Sequence, residues 1–212
     1  MSLICFKNGS LARERIRDEH HLDWEGFSQA LRATKPGNHG AILLPWFEPE
    51  ITPAVHDPGV RRFGLDARDG PANCRAVVEA QMMAMSIHSQ WMDVKFNTIH
   101  ATGGGSRNRD ILKIMADVHN AEVYQFEARN SACLGAALRA YHADVASEKK
   151  ITWDEVVRGF AEPIKESRIC PDPKSVAIYA ELKKIYSACE SHAIRSGEDP
   201  APLMEAFRRG HR

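Results

Sequence analysis

No run of apolar residues among the 212 positions approaches the roughly 20 that a membrane-spanning helix requires. Net charge is missing as well. Lys plus Arg and Asp plus Glu each number 28, so no long-range field draws the chain to nucleic acid or to an anionic membrane. Five cysteines (Cys5, Cys74, Cys133, Cys170 and Cys189) are odd in number, widely spaced and without a Cys-x-x-Cys pair. That pattern argues against a disulfide framework and predicts free, buried thiols in a reducing cytoplasm. His-Glu-x-x-His is absent, and the histidines at 20, 21, 39, 56, 88, 100 and 119 follow no ligand spacing, so no metal site is predicted. Ser10, Ser106 and Ser131 lack the Gly-x-Ser-x-Gly context of a hydrolase elbow. Met1-Ser2-Leu3 is too short for a signal peptide. No internal repeat is visible.

What remains is an ordinary globular composition, 43% hydrophobic and 26% charged, long enough for one substantial core or two small ones. Helical spacing is predicted at about 10–19 and 24–33, the latter with Trp24, Phe27, Ala30 and Leu31 on one face. Residues 41–44 read as a short apolar strand. Residues 45–70 hold four of the eleven prolines and read as loop, broken by a strand at 63–65. Pro71 opens a helix to about residue 92, with Cys74, Val77, Val78, Met82 and Met85 at core spacing. Then follow strand 96–101, helix 106–119, strand 122–126 and helix 131–143, a βαβα run that favours a parallel pair. A linker is expected at 147–150, and helices at 153–160, 175–194 and 201–208.

The most informative stretch is Ala101-Thr102-Gly103-Gly104-Gly105-Ser106-Arg107-Asn108, between a strand and a helix. Three consecutive glycines permit positive φ and remove the Cβ atoms that would hold a ligand off the backbone. The following helix aims its unpaired N–H groups and positive dipole end at that gap, which suits a phosphate or a flat nucleotide ring. The pattern is not Gly-x-Gly-x-x-Gly, because Asn108 stands where the third glycine would fall, and no Gly-Lys-Ser/Thr follows as in a P-loop. A plain βα turn is the competing reading. The Asn108 amide can donate and accept at once, which fits an adenine edge or a ribose hydroxyl; a local helix cap is its alternative.

These residues resemble a family. Gly103 to Asn108, then Ile111-Leu112 and Ala116-Asp117-Val118, look like the adenosine-binding segment of the FGGY carbohydrate kinases. Asn130 to Ala137 resembles the helix start after that domain's next strand. Leu43-Leu44-Pro45-Trp46-Phe47 resembles its Pro-aromatic segment, Arg61 to Leu65 the Gly-containing strand, and Asn8 to Arg13 a strand-to-helix turn lining the nucleotide site. The pieces run from about Ile4 to Tyr186 in the family's order.

The resemblance implies an α/β, ribonuclease H-like (actin-type ATPase) C-terminal domain of a sugar kinase, lacking its first strands. Residues 1–144 would form the partial nucleotide-binding domain and 145–212 its helical extension. ATP with Mg²⁺ would bind at Gly9, Arg13, Gly103, Gly104, Gly105 and Asn108, with Gly9 allowing the turn that presents Arg13. Mg²⁺ would be held mainly by phosphate oxygens and water. Asp117 is expected to be a solvent-facing charge rather than a magnesium ligand. The family's catalytic Asp lies upstream of anything in this chain. The polypeptide therefore reads as a C-terminal half, inactive alone, of an enzyme phosphorylating a xylulose-like sugar bound by an absent N-terminal domain. The edge of strand 96–101 would seek a partner, an upstream half or a second copy. Two alternatives stand: a non-catalytic adenine-nucleotide-binding fragment, and a Rossmann-type NAD or methyl-donor enzyme. Against the second, no acidic residue ends strand 122–126; Glu127 is the nearest.

Overall fold

The computed structural model describes residues 2–126, 130–160, 162–195 and 197–211, so Glu127 lies outside the described residues. Helix α1 spans Ser10–Glu19 and α2 spans Trp24–Ala33. Asp23 starts α2 by accepting from Gly26 N at 2.7 Å, satisfying one orphan donor of its first turn. Helix α3, Gly70–His88, starts the same way: Asp69 Oδ1 accepts from Ala72 N at 3.0 Å, and Pro71 sits in the first turn. It ends at His88, and a separate 3-10 turn over Gln90–Met92 covers the remainder of the stretch expected to be helical.

The spacing in α3 predicts one apolar face, but the structure buries every residue from Asn73 to Ala84. The reason is tertiary. Helices α1 and α2, strand β1 (Ile42–Leu44) and helices α4 (Arg109–His119) and α7 (Pro173–Arg195) all pack around α3. Phe27, Leu43, Val77, Val78, Met82, Tyr179 and Leu182 form the heart of this core. Each buried polar residue of α3 is hydrogen-bonded, although Glu79 Oε2 has no partner among the described residues. Arg75 donates to Thr34 Oγ1 (2.6 Å) and to Leu31 O (2.6 Å) on α2. Glu79 Oε1 accepts from Tyr179 Oη (2.7 Å), Gly37 N (2.9 Å) and Arg75 Nη1 (3.1 Å).

Strand β1 pairs antiparallel with β2, Arg61–Phe63, Ile42 lying opposite Phe63. Strand β2 falls two residues earlier than expected, and Gly64, at φ +59°, follows its last residue. Strand β3, Thr98–Ala101, pairs parallel with β4, Glu122–Gln125, the two joined through α4. The other side of β4 is closed by an irregular segment. Val123 and Ile169 exchange backbone bonds (3.0 and 2.9 Å), and Ser167 Oγ accepts from Gln125 N at 2.8 Å. Among the described residues, no strand pairs with the outer side of β3.

Helix α5 (Ser131–Val145) contains no buried residue. It leans on α6 (Trp153–Val157), where the Trp153 ring stacks on His142 at 4.2 Å between centroids. Helix α7 runs into the core through Tyr179, Leu182, Ile185, Tyr186 and Cys189, and α8 (Ala201–Gly210) adds Met204 and Phe207. No helix of the described residues is long and apolar enough to cross a membrane.

Two expectations need correction. Asp117 is not solvent-facing. It is buried, paired with Lys113, and accepts from Asp172 N at 2.7 Å, so it ties α4 to the start of α7. Of the cysteines, Cys74 and Cys189 are buried, but Cys5, Cys133 and Cys170 are exposed; all five are free.

His119 ends α4, and burial, with Lys183 nearby, pushes its pKa down from 6.5 to about 4. The folded protein therefore selects the neutral ring. Its contribution is complete above the unfolded value of 6.5 and is lost as pH falls from there towards 4. We expect urea midpoints to drop over that interval, and His119→Gln to flatten the drop; an unchanged slope in the variant would contradict this.

Candidate functional site

A cavity of about 700 Å³ lies between α1, α2 and the start of α4. Ser10, Arg13 and Glu14 supply one wall from α1, and Trp24, Glu25, Ser28 and Arg32 a second from α2. Gly104, Gly105 and the residues from Arg107 to Ile111 supply the third.

That third wall is built by the glycine turn. Gly103 sits at φ +86°, ψ −175°, a conformation open essentially to glycine alone. Gly104–Arg107 then form a 3-10 turn rather than the first turn of the α-helix expected from 106. Ser106 Oγ donates to Gly103 O at 2.7 Å, and Gln125 Nε2 from β4 donates to Ser106 O at 2.5 Å, bracing the turn from behind. Asn108 caps α4: its Oδ1 accepts from Asp110 N (3.0 Å) and Ile111 N (3.1 Å), and its Nδ2 donates to Ser28 Oγ (2.7 Å). Of the two readings of Asn108, the structure displays the cap, with a cross-link to α2 added.

Gly105 serves differently from Gly103. A Cβ there would stand 2.9 Å from Arg13 Nη2, the far end of a long side chain. Gly103→Ala should therefore lower stability by about 1–3 kcal/mol through backbone strain. Gly105→Ala should leave stability near wild type and displace the guanidinium. Urea unfolding of the two variants tests this, and equal stability losses would contradict the division.

Arg13 is 9% exposed, although helix α1 carries three arginines that might have formed one solvated face. Its Nη1 donates to Gln81 Oε1 at 2.7 Å, and among the described residues it pairs with no carboxylate. Burial pulls its pKa down, and Glu14 partly offsets this. Gln81 does double duty, because its Nε2 donates to Asn8 O (2.8 Å) and Gly9 O (2.7 Å). A core helix thus fixes both the turn before α1 and the arginine on α1.

Glu50 secures the same turn by accepting from Lys7 N (2.5 Å), Ile51 N (2.8 Å), Asn8 Nδ2 (2.9 Å) and Asn8 N (3.0 Å). Burial raises the Glu50 pKa, but these bonds together outweigh it and leave the carboxyl below its usual value.

The structure therefore brings Arg13, Gly104, Gly105 and Asn108 onto one cavity. Gly103 stands behind as the hinge of the turn, and Gly9 sits at the foot of α1 as an acceptor for Gln81. Sequence reasoning missed Gln81, Ser28, Gln125 and Glu50. Their roles depend on partners 19 to 80 residues away, and no local spacing marks them. Cavity charges are unevenly matched. Arg32 is paired with Glu25 and Asp110, both at 2.7 Å, while Arg13 forms no ion pair among the described residues and has only Glu14 nearby. Among the described residues, no three His, Cys, Asp or Glu side chains converge as a metal cage.

Residues 4–143 match the family described as the FGGY family of carbohydrate kinases, C-terminal domain. Xylulose kinase of Mus musculus is 38% identical over 207 residues, which cover 94% of this chain and 37% of that protein. Xylulose kinase 2 of Arabidopsis thaliana is 31% identical over 167 residues, 70% of this chain and 30% of that one. The ligand-bound xylulose kinase structure from Lactobacillus acidophilus superposes with a TM-score of 0.76 at 22% identity, covering 89% of this chain and 38% of that chain. Plasmodium falciparum glycerol kinase with ADP gives 0.63 at 17% identity, over 87% and 36%. The solved structures speak for the ribonuclease H-like, actin-type fold. The chain spans less than two-fifths of the length of these relatives. A glycine turn facing a buried arginine is thus found inside a matching stretch of some two-thirds of the molecule, and the chain belongs to the FGGY family of carbohydrate kinases through that family's C-terminal domain.

Proposed function

We propose that the cavity between α1, α2 and the glycine turn binds an adenine nucleotide. The chain is then the nucleotide-binding C-terminal portion of an ATP-dependent kinase that phosphorylates a hydroxyl of a xylulose-like sugar. The observation carrying this reading is Arg13, a buried guanidinium that forms no ion pair with a carboxylate among the described residues and is held against Gly105 where the backbone lacks a side chain. A guanidinium offers five donors, and an anion arriving there would meet a fixed charge in a partly desolvated site.

Arg13 would take phosphate oxygens, with Gln81 holding its orientation. Gly104 and Gly105 would let the backbone come close to the ligand, and α4 would direct its N-terminal dipole at it. Asn108 would meet the adenosine end through Nδ2, exchanging its bond to Ser28. Mg²⁺ would arrive with the nucleotide and, held by phosphate oxygens and water, neutralise charge in the transfer. The donor set fits that arrangement, since Arg13, Arg107 and Arg109 line the cavity and, among the described residues, no three acidic or histidine side chains converge as a metal cage. The sugar and the Asp that takes its proton would come from the rest of the kinase, so these 212 residues alone should bind nucleotide without transferring phosphate. Five free thiols fit a reducing cytoplasm. Residues 145–212 would extend the same domain.

The open side of β3 and the unburied α5 would be covered by another part of the kinase or by a second copy. Sedimentation of the chain as a clean monomer at micromolar concentration would count against that.

The reading is tested by calorimetric titration with ADP and Mg²⁺, and separately with NAD. Saturable binding of ADP alone is expected. Binding of NAD without competition by ADP would point to a dinucleotide enzyme, and a folded chain that binds neither ligand would sink the proposal.

A further inference from the structure

A separate cavity, of about 760 Å³, lies at the far end of α4. Asn108 to Ile111, at the start of that helix, line the cavity already described; His119, its last residue, and Asn120, its cap, line this one. Eleven residues of helix, about 16 Å, stand between them. The remaining walls come from the end of α3, at Ser86, and from the segment leading to β3, at Asp93, Lys95 and Phe96.

The lining carries no net charge. Asp93 and Lys95 contribute one of each sign, and burial, with Lys183 nearby, keeps the His119 ring neutral at ordinary pH. A charged ligand would gain no net field here. Hydrogen-bonding capacity, by contrast, is left over. Among the described residues the side chains of Asp93, His119 and Asn120 make no hydrogen bond, and Ser86 Oγ accepts from Lys183 Nζ at 3.2 Å without donating in turn. A neutral imidazole and a primary amide each donate and accept, while a carboxylate accepts only. Beside them stands an open aromatic ring. Phe96 is 45% exposed, its centroid 6.0 Å from that of the tilted His119 ring. An apolar ring among unspent donors and acceptors suits a ligand with hydroxyls around its edge and C–H groups on its face.

We infer that this cavity binds a neutral, pyranose-sized sugar: Phe96 meets a C–H face of the ring, and His119, Asn120, Asp93 and Ser86 take its hydroxyls. The two cavities share no lining residue, so this assignment is independent of the nucleotide one. A sugar held here is the length of α4 away from the glycine turn, out of reach of a phosphate bound there. It would be an effector rather than the acceptor of phosphoryl transfer.

The test is a ¹H–¹⁵N NMR titration of the whole chain with methyl β-D-glucopyranoside. Cyclohexanol, which has the ring without the hydroxyl set, and acetate, which is charged, serve as contrasting probes. Saturable shifts at residues 86–96 and 119–120 are expected with the glucoside and with neither of the others. Phe96→Ala should weaken the glucoside about two- to tenfold, the scale of one aromatic contact. His119→Leu should weaken it by a similar factor of about two to ten, the scale of a lost hydrogen bond. Dispersion of each spectrum reports folding, and if His119→Leu does not fold, Phe96→Ala decides alone. A glucoside that leaves these residues unmoved would overturn the inference. So would equal shifts from cyclohexanol or acetate, wild-type affinity in Phe96→Ala, or glucoside shifts confined to residues 104–111.

Discussion

Arg13→Met should weaken ADP binding by about ten- to a hundredfold, the range of charge-assisted hydrogen bonds, and leave the melting temperature unchanged or higher. The two effects have one cause. Among the described residues Arg13 is a buried charge without an ion-pair partner, which costs desolvation free energy, and its bond to Gln81 offsets little of that. An apolar side chain of similar length removes that cost. Stability and binding should therefore move in opposite directions, which a purely structural arginine would not do. Arg13→Lys keeps the charge but not the planar fork, and should fall between the two. A variant that loses stability and retains ADP affinity would show that Arg13 serves the fold.

Glu79→Ala should destabilise the protein by about 3–5 kcal/mol, because it strands the buried Arg75 guanidinium. Burial raises the Glu79 pKa; Arg75 and the bonds from Tyr179 and Gly37 act against this. The pair joins α3 to α2 through Thr34 and Leu31, and to α7 through Tyr179. Breaking it should also let the α2 wall of the cavity shift, so ADP affinity should fall although Glu79 does not line the cavity. Replacing Arg75 and Glu79 together by methionine should cost far less than the single change, since both charges leave the interior at once. Urea denaturation of the two single variants and the double variant measures this; additive losses would contradict the coupling.

The local signals in the sequence translated well. Pro71 marks a helix start that the structure keeps, and the βαβ run expected over 96–126 forms the parallel pair it implied. Element ends were less legible. The start of α4 moved from 106 to 109 because Gly104–Arg107 adopt a 3-10 turn behind the Asn108 cap. Long-range matters were hidden. The burial of α3 on all sides from Asn73 to Ala84 was invisible because Asn73, Arg75, Glu79 and Gln81 interrupt its apolar pattern, and their partners come from α1, α2, β2, α7 and the loops between. Asp117 was misread because the backbone N–H it accepts from belongs to Asp172, 55 residues on. At the site, glycine chemistry gave the turn and the family resemblance gave Arg13. Sequence alone offered no sign that Gln81 would hold that arginine, or that Ser28 would bind Asn108.

Amide hydrogen exchange with and without ADP and Mg²⁺ locates binding as well as detecting it. Protection concentrated at residues 104–111 and at the foot of α1 around 9–14, with a smaller effect on the first two turns of α2, is the predicted result. Protection confined to elements remote from this cavity, such as β2 or α8, would contradict the account.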